Sequence, residues 1–245
     1  MDLPQNKPLS HLSVQFATPC GNHSYVREYV RSFHNSACVL IECGAKVDWA
    51  EFPGCADLAL ARAKIFGNFL RSDHTHLFMI DSDQGWHYDD VVRVLLTGKD
   101  FVGAAGPKKT SPLQFAANNC DDEGNLLPLK SEPDTGLVQV TEVGLAFMAI
   151  SKSCAQKMAD AYPELAFDDP PNKEYALFDS FIVGDKTKRR LSEDFAFCHR
   201  WRRIGGQIYL LPDVRLQHVG TSVWEGALIQ NLMGSPIDGQ ETQKS

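Results

Sequence analysis

The sequence predicts an α/β fold in a single domain, with a mostly parallel, mixed sheet flanked by helices. Two observations lead to this prediction. Short apolar stretches alternate with helical segments along the first half of the chain. Parallel neighbouring strands need a crossover connection of about this length between them. The 245 residues, 43% of them hydrophobic and 22% charged, suit one globular domain.

The elements of the first half follow one another as strand and helix units. Apolar residues spaced three and four apart indicate the helices, and continuous apolar runs before turns indicate the strands. Asp57 is a candidate N-cap for the second helix, and Gly98 closes the third. The predicted strands cover residues 14–17, 46–52, 76–80 and 100–105, and the predicted helices cover residues 24–35, 57–70 and 88–96.

The second half is less regular and contains one long Pro-rich segment, residues 162–173, which we expect to be a lid or an acceptor-binding loop. We divide the chain into a flexible N-terminal segment (1–12), one domain (13–220) and a C-terminal tail (221–245). The predicted strands here cover residues 137–143, 147–150 and 207–211, and the predicted helices cover residues 151–161 and 193–204.

Composition excludes several classes of protein. The apolar stretches are far shorter than the roughly 20 residues of a membrane helix, so no membrane span is predicted. The polar start of the chain lacks the plan of a signal peptide, and we expect a cytoplasmic location. Seven cysteines without a CxxC pair indicate reduced thiols. A net charge of -7 disfavours generic nucleic-acid binding, although the basic run 186–190 can meet phosphate locally.

The acidic run Asp81-Ser82-Asp83 directly follows the buried strand 76–80. Where the backbone leaves the sheet, both carboxylates can turn toward one point. Mg²⁺ and Mn²⁺ take oxygen ligands, usually one or two carboxylates together with substrate phosphates. Alone, however, the motif favours a capped turn, because short acidic motifs recur by chance.

A second acidic pair, Glu193-Asp194, begins the predicted helix 193–204. Carboxylates in a first helical turn are favoured by the helix dipole, and for the pair alone this capping role is the better interpretation. The alternative is that one carboxylate faces a cleft and takes a proton from a hydroxyl group, as a general base does.

Four further polar residues are candidates. His218 follows a strand and carries an imidazole that binds metals, although a single histidine is usually structural. Arg62 lies in an apolar helix, where it either clamps a phosphate or forms an ion pair. Lys108 and Lys109 follow a Gly-Pro turn, and loop lysines are usually only solvated.

Taken in order, these pieces resemble the GT-A glycosyltransferases, in particular the family 2-like, short single-domain enzymes of bacteria and large phages. The resemblance covers roughly residues 14–220 and is specific only through the order of its blocks. It implies a Rossmann-like GT-A fold that moves a sugar from a nucleoside-diphosphate sugar to an acceptor hydroxyl. The blocks are Ala61-Arg62 with residues 77–83, then residues 143–150, and last residues 192–206 with His218.

The resemblance also implies roles for individual residues. Asp194 maps to the catalytic base of inverting members, with Glu193 as the second candidate, and a divalent Mn²⁺ or Mg²⁺ is implied as cofactor. No QxxRW motif follows the acidic pair, so a single transfer is expected rather than chain extension. The implied metal ligands are Asp81, Asp83 and His218. With the loop cation Lys108 added, the residues expected at the nucleotide sugar are Thr18, Pro19, Arg62, Asp81, Ser82, Asp83 and Lys108, and those expected on the acceptor side are Gly144 and Phe147.

The sequence leaves several alternatives open. The acceptor is a glycan or another hydroxyl compound, or it is a modified base of phage DNA that the basic run 186–190 would help to bind. A sugar-nucleotide nucleotidyltransferase is a weaker alternative, because residues 18–23 offer only one Gly for a phosphate loop. A non-catalytic module that binds sugar nucleotides and a retaining mechanism also remain open.

Overall fold

The computed structural model describes residues 9–232, in which the strand and helix units of the first half follow the predicted order. The helices are α1 (Arg27–Glu42), α2 (Leu58–Arg71), α3 (Tyr88–Leu96), α4 (Lys152–Ala161), α5 (Glu193–Arg203) and α6 (Ile229–Leu232). The strands of the first half are β1 (Ser13–Cys20), β2 (Lys46–Pro53), β3 (His76–Ile80), β4 (Gln84–Gly85), β5 (Phe101–Gly103) and β6 (Ala117–Asn118). The others are β7 (Lys130–Ser131), β8 (Val138–Val140), β9 (Glu142–Val143), β10 (Phe147–Ser151), β11 (Ala166–Asp169), β12 (Asn172–Tyr175), β13 (Ile182–Val183), β14 (Arg189–Arg190), β15 (Ile208–Leu210), β16 (Arg215–Val219) and β17 (Val223–Ala227).

Eight strands form one central mixed sheet in the order β2-β1-β3-β10-β5-β15-β8-β7. Strand β1 is parallel to β2 and β3, and β15 is parallel to β5. Strand β10 is antiparallel to both β3 and β5, and β8 is antiparallel to β15 and β7. The prediction of a mostly parallel sheet is therefore wrong beyond β3. No helix lies between β5 and β10, so β10 returns antiparallel through loops and short strands.

Helices cover both faces of the sheet, and β3 shows the consequence most clearly. Leu77 and Met79 of β3 pack in the cluster that contains residues of α2, α4 and α5. Phe78 and Ile80 pack in the cluster that contains residues of α1 and α3. All four are fully buried, which explains why β3 is a continuous apolar run. In a strand that is buried on both faces, polar side chains that can contact a ligand are expected only at the strand's ends.

The Pro-rich segment predicted to be a loop or lid is instead a β-hairpin, made by β11 and β12. It lies against α2 through two ion pairs, Arg71 with Glu174 at 2.9 Å and Lys64 with Asp169 at 2.9 Å. The Glu174 side chain is only 2% exposed, so the pair with Arg71 anchors the hairpin. Pro170 and Pro171 occupy the turn between the two strands, where a residue without a backbone N–H interrupts no ladder, whereas Pro163 begins a short 3-10 helix before β11.

Both ends of the predicted domain extend further than expected. Leu9 and Leu12 are buried, and the Leu9 amide donates to the Cys43 carbonyl at 3.0 Å, so the flexible segment does not reach residue 12. In the region assigned to a tail, β17 pairs with β16 and is followed by α6. The rest of the two assigned segments, residues 1–8 and 233–245, lies outside the described residues.

Between residues 9 and 232, no helix combines the length and the apolar character that crossing a bilayer requires.

Candidate functional site

The run Asp81-Ser82-Asp83 leaves the sheet at the carboxyl end of β3, as predicted. The Asp81 amide donates to the Ala146 carbonyl at 3.3 Å, and the Gln84 amide donates to the Asp81 carbonyl at 3.2 Å, which closes a turn. The parallel neighbour β1 ends at the same edge of the sheet. In open α/β sheets this edge is where ligands bind.

His218 lies beside Asp83 because of a small second sheet. Strand β4 directly follows the acidic run and pairs antiparallel with β16, which places His218 opposite Gln84. The Val219 amide donates to the Asp83 carbonyl at 2.8 Å. As a result His218 Nε2 lies 3.2 Å from Asp83 Oδ2, although the two residues are 135 positions apart in the chain.

The other ring nitrogen of His218 determines what Nε2 can do. His218 Nδ1 lies 2.8 Å from the carbonyl oxygen of Pro107. A carbonyl can only accept, so Nδ1 carries a hydrogen, and Nε2 either carries a second hydrogen that it donates to the Asp83 carboxylate or points a lone pair at it. Two acceptors at this distance need a cation between them, either a proton or a metal ion. Metal-binding histidines are commonly oriented by a backbone carbonyl in this way.

Lys109 is the third group at Asp83, with its Nζ 2.7 Å from Oδ2. Burial alone would raise the pKa of Asp83, but the hydrogen bonds from His218 and Lys109 outweigh it and lower the pKa to about 2. Asp83 is therefore an anion at neutral pH. Both loop lysines were weak candidates in the sequence and both are exposed, but Lys108, the one expected at the nucleotide, is held only by a backbone bond from its amide to the Gln114 carbonyl.

Arg62 occupies the centre of the site, although its side chain is only 1% exposed. Its Nη2 donates to Asp81 Oδ1 at 3.2 Å, and its Nη1 lies 3.0 Å from the sulfur of Met79. Its Nε lies 3.0 Å from Asp194 Oδ1, an ion pair in which neither atom has the alignment of a hydrogen bond. The guanidinium thus joins the end of β3 to the start of α5. This burial corrects the prediction that Arg62 contacts the nucleotide, because its charge is already used by protein carboxylates.

Asp194 lies in the first turn of α5, and the pKa of its carboxyl group is unusual. Burial raises its pKa to about 7, against the lowering effect of Arg62 and with a further raising effect of Glu193. The side chain keeps 16% of its surface exposed. Its other oxygen, Oδ2, faces Gly144, where an added Cβ would stand 3.6 Å away. A carboxylate that titrates near neutral pH is suited to proton transfer.

Glu193 is less closely held than its neighbour. Its Oε1 lies 3.9 Å from Arg62 Nε, and 22% of its side chain is exposed. Of the two acids, Asp194 has the environment that the role of a base requires.

Three predicted ligand contacts are not supported by the positions of their side chains. Thr18 is buried in β1 with its hydroxyl 2.6 Å from that of Tyr29, and Pro19 beside it is also buried. Phe147 is fully buried and packs edge-on against Phe78 at 4.9 Å between ring centres, so it belongs to the core rather than to an acceptor surface. Each of these residues lies within a strand that is covered on both faces. This burial cannot be inferred from the fact that a residue precedes a loop in the sequence.

The predicted set of three metal ligands is not assembled. Across residues 9–232, no three His, Cys, Asp or Glu side chains converge in a way that could hold a metal ion. Asp81 is drawn to Arg62, which leaves Asp83 and His218 as a pair. Ser82, between the two acids, is half-buried, and its carbonyl accepts from the Val26 amide at 3.1 Å.

A cleft of about 350 Å³ opens at the carboxyl end of β2, beside the N-terminal half of α2. Ala61, the residue before Arg62, contributes to its wall, so the cleft and Arg62 meet at α2. Its lining is polar as well as apolar and consists of Glu51, Phe52, Pro53, Gly54, Cys55, Ala61 and Lys64.

Comparison with known proteins adds information on the fold. No protein-family model matches the chain, and no curated protein matches it. The structure is similar to the crystal structure of A197 from STIV, with a TM-score of 0.53 and 14% sequence identity over 96% of this chain and 97% of that one. At this identity the similarity concerns the fold alone.

Arg62 provides a test of the site. We predict that R62M lowers the free energy of unfolding at pH 8 by about 3 kcal/mol, because it leaves Asp81 and Asp194 without their buried counter-charge. K64M, on the same helix, removes an exposed pair with Asp169 and should cost less than about 1 kcal/mol. Urea unfolding measures both.

The double variant R62M/D194N should recover part of the loss, because it removes one of the uncompensated charges. An R62M variant no less stable than K64M would contradict the role assigned to Arg62.

Proposed function

We propose that the chain is a GT-A glycosyltransferase that transfers a sugar from a nucleoside-diphosphate sugar to an acceptor hydroxyl. The observation that carries the proposal is that Arg62 joins Asp81, in the same acidic run as Asp83 of the Asp83–His218 pair, to the Asp194 carboxylate at the start of α5. The mixed sheet with helices on both faces is compatible with a GT-A fold, and the similarity to A197 from STIV supports the fold class without bearing on activity.

The Asp83–His218 pair fits one half of a divalent metal site. Mn²⁺ accepts both a carboxylate and an oriented imidazole, whereas Mg²⁺ would rely on the carboxylate, and phosphate oxygens of the donor would supply other ligands. The absence of a third protein ligand among residues 9–232 agrees with a cation that is bound together with the diphosphate. When bound, such a cation neutralises the charge that develops on the leaving diphosphate. The cleft at the end of β2 is the proposed place of the nucleoside.

Asp194 is the proposed base. Its carboxylate takes the proton of the acceptor hydroxyl while the hydroxyl oxygen bonds to the anomeric carbon. The bond from that carbon to the diphosphate breaks, and its electron pair leaves with the diphosphate. The configuration at the anomeric carbon inverts. Gly144 is buried beside Asp194 Oδ2, 3.6 Å from where an added Cβ would stand. A product with the donor's own anomeric configuration would show a retaining reaction instead.

The exposed residues of one loop favour an alternative acceptor. Lys186, Lys188 and Arg190 are exposed around β14, within a segment whose backbone amides at positions 185–187 donate to the carboxylate of Glu123. This ordered basic segment is suited to the phosphates of DNA, which would make a modified base the acceptor. Binding that weakens steeply with salt distinguishes this alternative from a small glycan acceptor.

Donor binding is the first test of the proposal. In a thermal-shift screen of sugar nucleotides, we predict that at least one donor raises the melting temperature more with Mn²⁺ than without it, because a ligand that binds only the folded state stabilises it. The variant D83N should lose the metal-dependent part of the shift, whereas K108M, on the adjacent loop, should keep it. The absence of a metal-dependent shift with any donor would contradict the proposal, and a shift without turnover would favour the non-catalytic module.

The pH dependence of transfer is the second test. Because only the ionised form of Asp194 accepts a proton, kcat/KM should rise with pH through about 7 and then level off. D194N should lose on the order of 100-fold or more in kcat/KM and lose this pH dependence. E193Q is the matched control and should keep the profile. A large loss in E193Q with a normal D194N would reverse the two assignments.

A further inference from the structure

Lys109 places an ammonium group on the same oxygen that the proposed metal site uses. Its Nζ lies 2.7 Å from Asp83 Oδ2, and His218 Nε2 lies 3.2 Å from that oxygen. A divalent cation at the pair would therefore face a positive charge already bound to its carboxylate. Two cations on one carboxylate repel each other strongly in a partly buried site.

The surrounding structure holds Lys109 in this position. The residue two before it, Pro107, accepts from His218 Nδ1 and forms an isolated bridge with Phe115, while the Lys108 amide donates to the Gln114 carbonyl at 2.6 Å. On the other side the lysine stem lies against Gly220, where an added Cβ would stand 3.4 Å from Lys109 Cδ and Cε. Lys109 is thus a component of the site rather than a free surface lysine.

The same side chain is able to move. It is 36% exposed, and its amine ends a flexible stem with three rotatable donors. A diphosphate brought to Asp83 would offer more negative charge than the carboxylate does. Phosphate oxygens would also compete with the Asp83 carboxylate, both for the ammonium group of Lys109 and for a metal ion.

We propose that Lys109 makes cation binding at Asp83 conditional on the donor. Without donor, Lys109 holds Asp83 and disfavours a divalent cation there. When the diphosphate of the donor binds, Lys109 transfers to a phosphate oxygen, and Asp83 with His218 becomes available to the cation. Lys109 is then a diphosphate-binding residue as well as a barrier to free metal. This inference rests on the proposed function.

Metal binding by the full chain without donor tests the first half. The free Mn²⁺ signal in electron paramagnetic resonance gives the affinity of wild type, K109M and K109R. We expect K109M to bind Mn²⁺ about tenfold more tightly than wild type, because it removes the competing charge, and K109R to resemble wild type. Equal or weaker binding by K109M overturns the inference.

The variant K109M/D83N separates this failure from failure of the proposed function. It should lose the Mn²⁺ bound by K109M. If it binds Mn²⁺ as K109M does, the metal lies elsewhere and the proposed metal site itself is wrong.

Binding of inorganic diphosphate in the presence of EDTA tests the second half by calorimetry. K109M should bind diphosphate about tenfold more weakly than wild type, and K109R should resemble wild type. K108M removes the same charge from the neighbouring exposed position and should change the affinity little. Equal losses in K108M and K109M, or no binding by wild type, would overturn the transfer of Lys109 to phosphate.

Discussion

The buried guanidinium of Arg62 is the constraint on which the rest of the site depends. A charge that is 1% exposed has to be matched by carboxylates within reach, and here these come from two separate elements, the end of β3 and the start of α5. The ion pairs therefore fix where α5 begins relative to the acidic run. They also bring Asp194 into surroundings that raise its pKa, since burial outweighs the attraction of Arg62.

The ion pair with Arg62 also gives the two aspartates of the acidic run different roles. Asp81 turns inward to the guanidinium and serves the structure. Asp83, two residues later, turns to Lys109 and His218, and its lowered pKa keeps it anionic. Two carboxylates with the same sequence neighbourhood thus have different chemistry because one faces a buried cation and the other a partly exposed one. The same separation explains why a set of three metal ligands is not formed.

The sequence predicted more of the fold than of the candidate site. Strand β3 and helix α3 match their predicted bounds, because continuous burial and helical spacing leave clear patterns. The direction of β10 was not predictable, since strand pairing depends on the path of the chain and not on the strand's own residues. Arg62 was recognised as unusual, and an ion pair was one of the roles left open for it, but its partners Asp81 and Asp194 could not be named because tertiary structure brings them to it. Lys109 differs from Lys108 only by a tertiary contact with Asp83, which no local pattern records.

We propose that Asp83 and His218 bind a donor diphosphate together with a cation. A crystal structure of the protein with Mn²⁺ and a nucleoside-diphosphate sugar tests it most directly, because the anomalous signal of manganese locates the ion without reference to any assumed mechanism. We predict a manganese peak in contact with Asp83 Oδ2 and His218 Nε2, with the diphosphate on the same ion and Arg62 still bound to Asp81 and Asp194. A nucleotide bound away from the carboxyl end of β3, or manganese without contact to Asp83, would contradict it.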